Sequence, residues 1–134
     1  VHMDCPEGLM LDSYPGAIMQ IMTNLIMNSL IPGFADGLPG EIFVSVEPAG
    51  DNVVLAYRDT GVGMAQEQKE RIYDPFYTTT RGSGGTGLGM NIVYNLVTQT
   101  LKGSILLETS PGQGAIFILT LPRDPDRVAA EPAV

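Results

Sequence analysis

Asp59-Thr60-Gly61-Val62-Gly63 follows without a break on the largely apolar run of residues 53–58, and the rest of the chain is read outward from this junction. A carboxylate at a strand end is followed by two glycines, which let the backbone approach a ligand closely. Upstream, Ile42, Val44 and Val46 alternate with Phe43, Ser45 and Glu47. This period of two predicts a strand joined to residues 53–58 by a hairpin turn at 49–52. Further back, Ile18, Ile21, Met22, Leu25, Ile26 and Ile31 recur at helical spacing, with Ser13 as an N-cap and Pro15 in the first turn. Leu9 to Leu11 reads as a short first strand. Downstream, residues 66–72 suit a short surface helix. Residues 87–101 carry Leu88, Ile92, Val93, Leu96 and Val97 as a second long helix, with Gly103 as its terminator. Residues 104–109 and 115–121 are strands around a Ser-Pro-Gly-Gln-Gly hairpin. The order β, α, ββ, α, α, ββ predicts an α+β fold, a two-layer α/β sandwich whose mixed, mostly antiparallel sheet carries helices on one face.

Composition removes several alternatives. At 134 residues the chain has the length of one domain, typically about 100–200 residues. Its 44% hydrophobic and 16% charged residues exclude wholesale disorder. Sixteen Gly and ten Pro without a repeat assign much of the chain to turns. A net charge of −8 repels nucleic acid and anionic membranes, so a phosphate ligand would need a metal, backbone N–H groups or a few placed cations. The single cysteine, Cys5, permits no internal disulfide. The apolar stretch at 17–31 is interrupted by Gln20, Thr23, Asn24, Asn28 and Ser29, and is too short and polar to span a bilayer. The methionines at 10, 19, 22, 27, 64 and 90 are expected to fill gaps in the core.

Two further patterns carry chemistry. Gln20, Asn24 and Asn28 recur every four residues, placing three amides in one stripe of the first long helix. An amide oxygen is a hard neutral ligand suited to Mg²⁺. The loop Gly82-Ser-Gly-Gly-Thr-Gly-Leu-Gly89 runs straight into the second long helix. Such backbone offers bare N–H groups to phosphates. It is not a P-loop, since no Gly-Lys-Ser/Thr follows, and it lacks the βαβ context of a dinucleotide fingerprint.

These elements in this order resemble the catalytic and ATP-binding domain of two-component sensor histidine kinases. That domain has the Bergerat fold shared with Hsp90, gyrase and the mismatch-repair ATPases, the GHKL superfamily. Residues 20–28 resemble the asparagine box and Asp59-Thr-Gly-Val-Gly63 the first glycine box. Ile72-Tyr-Asp-Pro-Phe-Tyr-Thr-Thr79 resembles the phenylalanine box, Gly85-Thr-Gly-Leu-Gly89 the second glycine box, and Ser110-Pro-Gly-Gln-Gly114 the last. The resemblance implies that Asn28 binds Mg²⁺ on the ATP phosphates with Asn24 assisting. It implies that Asp59 accepts from the adenine amine, with Gly61 and Gly63 letting the base in. Residues 77–86, with Tyr77, Thr78, Thr79, Arg81, Gly85 and Thr86, would form a mobile lid. Gly87, Leu88 and Gly89 would face the phosphates, and Arg81 would be the catalytic cation alongside Asn28.

The resemblance also bears on the acceptor. Relatives that hydrolyse ATP generally place a general-base Glu where this chain has Asn24. An amide has no useful basicity, and water or serine needs such help. Histidine, with an ordinary pKa near 6.5, needs less. Asn24 therefore favours a histidine acceptor over the Hsp90 or gyrase type of ATPase clamp. The only histidine, His2, sits in residues 1–3, which read as a cloning remnant. The domain is then 4–122, followed by a tail at 123–134. The expected function is kinase catalysis, a transferase step in signal transduction. The γ-phosphoryl would pass to a histidine of a separate dimerisation domain and on to a response regulator, with this piece monomeric and cytoplasmic. Membrane attachment would lie in other segments of the parent. The alternative is a degenerate nucleotide-binding or docking module, suggested by Ile31, Pro32 and Thr80 where relatives carry more polar or basic residues, and by Ala115 where a hydroxyl is frequent.

Overall fold

The computed structural model describes residues 2–4, 15–29, 40–75 and 89–124. Its elements are β1 (His2–Asp4), α1 (Pro15–Asn28), β2 (Ile42–Ala49), β3 (Asn52–Asp59), α2 (Gln66–Arg71), α3 (Gly89–Asn95), β4 (Ser104–Thr109) and β5 (Ala115–Pro122), with a π-helical segment Leu96–Thr100 continuing α3. The strands form one sheet in the order β1-β2-β3-β5-β4. β1 runs parallel to β2, and every other pair is antiparallel. This is the expected α+β sandwich with a mixed, mostly antiparallel sheet. β1 is built from His2, Met3 and Asp4, which the sequence set apart or left unassigned. The strand expected at residues 9–11 lies outside the described residues, as does Cys5.

Alternation places the core. Ile42 and Val44 of β2, Val53, Leu55 and Tyr57 of β3, and Ala115, Phe117, Leu119 and Leu121 of β5 are buried. Period two sends these side chains to one face of the sheet. There all but Val53 join one core cluster with Ile21 and Leu25 of α1, Met90 and Val93 of α3, and Val97 and Leu101 beyond it. Tyr57 and Phe117 are register partners whose rings meet edge to face at 6.3 Å. Such a pair adds about 0.5–1.5 kcal/mol beyond the area it buries. On the opposite face, Arg58 lies 4.3 Å over the ring of Phe43. α2 has no buried residue, as expected of a surface helix, and the Gln68 side chain accepts from the Ala65 N–H at its start.

The methionine expectation is corrected in part. Met90 is buried, and Met22 and Met64 pack against the core, but Met19 is 66% and Met27 45% exposed. With Thr23 they form the i, i+4, i+8 stripe of α1 that faces away from the sheet. The helix has one buried face.

The end of the second helix is also corrected. Sequence makes Gly103 its terminator through conformational freedom. Instead Lys102 adopts the left-handed conformation, φ 59°. A Cβ at Gly103 would collide with the Thr120 carbonyl oxygen, so that glycine serves the contact with β5. The Leu101 N–H bonds to the Leu96 carbonyl at 2.8 Å, the five-residue spacing of a π turn, and the Gly103 N–H reaches back to the Val97 carbonyl at 2.8 Å. Left-handed backbone costs a residue with a Cβ roughly 1 kcal/mol. Lys102→Gly is therefore expected to stabilise the domain by about 0.5–1 kcal/mol, read as a rise of a few degrees in thermal midpoint.

Candidate functional site

Asp59 ends β3, and its core-facing position turns a carboxylate into the interior at 4% exposure. A buried carboxylate must be hydrogen-bonded. Its Oδ1 accepts from the N–H of Gly61 at 3.0 Å, the local turn that Asp favours two residues ahead, and from the N–H of Ala115 at 3.2 Å. Its Oδ2 accepts from the Ser29 hydroxyl at 2.7 Å. Every described partner is a donor, the pattern a carboxylate needs.

Three elements hold that arrangement. Thr60 closes the turn onto the start of β2: its N–H donates to Glu41 O at 3.1 Å, and its Oγ1 accepts from Glu41 N–H at 2.9 Å. Thr109 of β4 accepts from Met64 N–H at 3.0 Å and donates to Gly114 O at 2.5 Å. Gly112 N–H donates to Val62 O at 2.7 Å. The first glycine segment and the β4–β5 hairpin are thus laced together. Gly63, at φ 72°, has no room for a Cβ, which would collide with the Ser110 carbonyl oxygen. The close approach that Gly63 permits is made by this hairpin.

The amide stripe sits on α1 as expected. Gln20 is exposed, while Asn24 and Asn28 are half-buried. Gln20 donates to Asn24 Oδ1 at 3.2 Å. Asn24 Nδ2 is buried with no hydrogen-bond partner among the described residues. In this orientation Asn24 offers a donor, suited to a phosphate oxygen or a metal-bound water, while its oxygen accepts from Gln20. Gly89 opens α3 beside it, so that a Cβ there would lie 4.0 Å from Asn24 Oδ1. Asn28 closes the last turn of α1 immediately before Ser29, so that turn carries both Asn28 and a partner of Asp59. Tyr77, Thr78, Thr79, Arg81, Gly85, Thr86, Gly87 and Leu88 lie outside the described residues. Among the described residues no three His, Cys, Asp or Glu side chains cluster to hold a metal, and no helix is long and apolar enough to cross a membrane.

Sequence reasoning missed Ser29 and Tyr57. Both are fully buried. Their hydroxyl oxygens are 2.6 Å apart, and Tyr57 also donates to Leu25 O at 3.1 Å. Burial, with the nearby Asp59 charge adding, pushes the Tyr57 hydroxyl up to about 12 against the opposing Ser29 bond, so it remains protonated at neutral pH. A signal existed: the core-facing row Val53, Leu55, Tyr57, Asp59 turns polar only at its last two members.

A family model described as Histidine kinase-, DNA gyrase B-, and HSP90-like ATPase matches residues 14–125. Sporulation kinase E of Bacillus subtilis is 35% identical over 109 residues, 81% of this chain and 14% of that protein. The sensor-like histidine kinase SenX3 of Mycolicibacterium smegmatis is 33% identical over 132 residues, 94% of this chain and 33% of that protein. The nucleotide-free catalytic domain of histidine kinase ThkA superposes with a TM-score of 0.75 at 28% identity, covering 93% of this chain and 82% of that one. ThkA in complex with the response regulator protein TrrA superposes with a TM-score of 0.73 at 25% identity, covering 93% and 34%. The chain spans a third or less of these curated relatives. With the sheet order, the buried strand-end aspartate and the asparagine-bearing helix already in place, the chain belongs to the histidine kinase-, DNA gyrase B- and HSP90-like ATPase family and has the fold of a histidine kinase catalytic domain.

Proposed function

We propose that this chain binds ATP with Mg²⁺ and supplies the γ-phosphoryl to a histidine of a separate dimerisation domain, for transfer to a response regulator. The observation that carries the reading is the buried Asp59 carboxylate, pre-set by three donors at the end of β3 beside the turn that bears Asn28. Asp59 would accept from the adenine amine. Gly61 would keep the approach open by adding no side chain to it, and Gly63 would act indirectly, by letting the β4–β5 hairpin close beside the aspartate. Asn28 would hold Mg²⁺ through its amide oxygen, and the orphaned Asn24 Nδ2 fits a phosphate oxygen or a water of the metal. Bound Mg²⁺ would neutralise phosphate charge, which the chain's own −8 makes necessary. Tyr77, Thr78, Thr79, Arg81, Gly85, Thr86, Gly87, Leu88 and Gly89 are proposed as the lid and phosphate side, with Arg81 and Asn28 as the catalytic pair.

Asn24 offers no base to activate water, which supports a histidine acceptor. The association of the similar ThkA with a response regulator supports the onward step. We also propose a cytoplasmic, monomeric state for this piece. Calorimetric titration with ADP and a non-hydrolysable ATP analogue, with and without Mg²⁺, tests the reading. Saturable binding that strengthens at least tenfold with Mg²⁺ for the ATP analogue is expected. No binding up to millimolar nucleotide would overturn it in favour of a degenerate docking module.

A further inference from the structure

We propose that Ser29 and Tyr57 are positioning residues for Asp59, a two-hydroxyl relay that leaves one acceptor site on the carboxylate and thereby sets a preference for a 6-amino over a 6-oxo purine. The inference rests on the nucleotide reading above and deepens it.

The count of protons fixes the relay's direction. Asp59 Oδ1 already accepts two N–H groups, from Gly61 and Ala115. Oδ2 accepts one hydroxyl, from Ser29. A carboxylate oxygen has two in-plane lone-pair sites, so a single site on Oδ2 is left for an incoming donor. Three contacts, Ser29 to Asp59, Ser29 to Tyr57 and Tyr57 to Leu25, share two hydroxyl protons. The carboxylate cannot donate, so the Ser29 proton goes to Asp59. The Tyr57 proton then goes to Ser29 across the 2.6 Å contact, and Leu25 O at 3.1 Å is the weaker second acceptor. The chain Tyr57→Ser29→Asp59 is therefore directional. Both hydroxyls are wholly buried, so bulk water cannot simply replace them.

The consequence is a choice of base. An exocyclic amine donates into the remaining site. A 6-oxo group brings a second acceptor to it, which a carboxylate repels. Removing the Ser29 hydroxyl opens a second site on Oδ2 and releases the carboxylate to rotate, so the penalty falls on the ligand that needs its oriented oxygen. Ala115 contributes only its backbone N–H to Asp59. Ser29, approaching from α1, supplies the hydroxyl that the hairpin side lacks.

Calorimetric affinities for ADP and inosine diphosphate, on the wild-type chain, Ser29→Ala, Ser29→Thr and Tyr57→Phe, test the relay. Loss of one hydrogen bond predicts that Ser29→Ala weakens ADP about 5–30-fold and inosine diphosphate less than about twofold. Tyr57→Phe should weaken ADP about threefold with the same selectivity, and Ser29→Thr, which keeps the hydroxyl, should restore the wild-type ratio. Tyr57→Phe keeps its ring against Phe117, so it carries the test if Ser29→Ala fails to fold. Equal loss for both nucleotides, or an unchanged ratio, overturns the relay while leaving nucleotide binding standing. No ADP binding by the wild-type chain overturns the nucleotide reading and the relay with it.

Discussion

Asp59→Asn is expected to lose ADP binding by at least about 100-fold while the domain stays folded. The substitution keeps Oδ1 for the N–H groups of Gly61 and Ala115 and puts an NH₂ where Oδ2 stood. The relay can run in reverse. The new amide donates to Ser29, Ser29 donates to Tyr57, and Tyr57 donates to Leu25 O, at the distances already present. Each of these buried polar groups keeps a partner, so the stability change should stay within about 1 kcal/mol and the thermal midpoint within several degrees. The ligand meets a different situation. The second amide hydrogen now points at the site the adenine amine would use, donor against donor. Two unpaired buried donors cost on the order of 3 kcal/mol or more, which is the expected hundredfold. Inosine diphosphate, which presents an acceptor, should lose less. An Asp59→Asn variant that binds ADP within threefold of wild type would show that Asp59 does not receive the base.

Much of this site can be read from residue types at their spacings. Asp59 stands out because a strand of period two ends on an acid and then on glycines, and the Asn24–Asn28 interval because polar residues break an apolar helical pattern. Ser29 does not stand out in that way, and Tyr57 shows only as the first polar member of the core-facing row that ends on Asp59. Each is an ordinary core-compatible residue, and their 2.6 Å contact joins positions 28 residues apart, which only the packing of α1 on β3 creates. The same limit explains Met19 and Met27. Helical periodicity marks an apolar stripe, but methionine is apolar on either face, and only the sheet decides which face it covers. Gly103 and Lys102 show the converse error. A glycine after a helix reads as a C-cap, yet the left-handed residue is the lysine before it, because the glycine must lie against Thr120. The parallel edge strand β1 was illegible because three residues carry no period, and its pairing with β2 is wholly tertiary.

Gly114→Ala is expected to be, together with Gly63→Ala, the most damaging single-methyl change among the described glycines near the site. Gly114 has φ 69°, and a Cβ there would collide with the Asp59 carbonyl oxygen and lie 3.3 Å from Thr60 Cα. Both neighbours are backbone, so no side chain can swing aside. The hairpin or the end of β3 would have to move. That end is held by Thr60 on Glu41 and by the Asp59 contacts with Ser29, Gly61 and Ala115, so movement breaks several bonds together. Left-handed strain of roughly 1–2 kcal/mol and the displaced backbone together should exceed about 3 kcal/mol, a large share of the ~5–15 kcal/mol that holds a domain together. A fall of ten degrees or more in thermal midpoint is expected, with ADP affinity falling as Asp59 shifts. Gly112→Ala supplies the control in the same hairpin. Its φ is 79°, but nothing lies within 4 Å of a Cβ, so only the strain of roughly 1 kcal/mol applies. Equal losses from the two substitutions would show that conformation alone matters there. A much larger loss at Gly114 would show that the missing side chain is what lets the hairpin close on the aspartate.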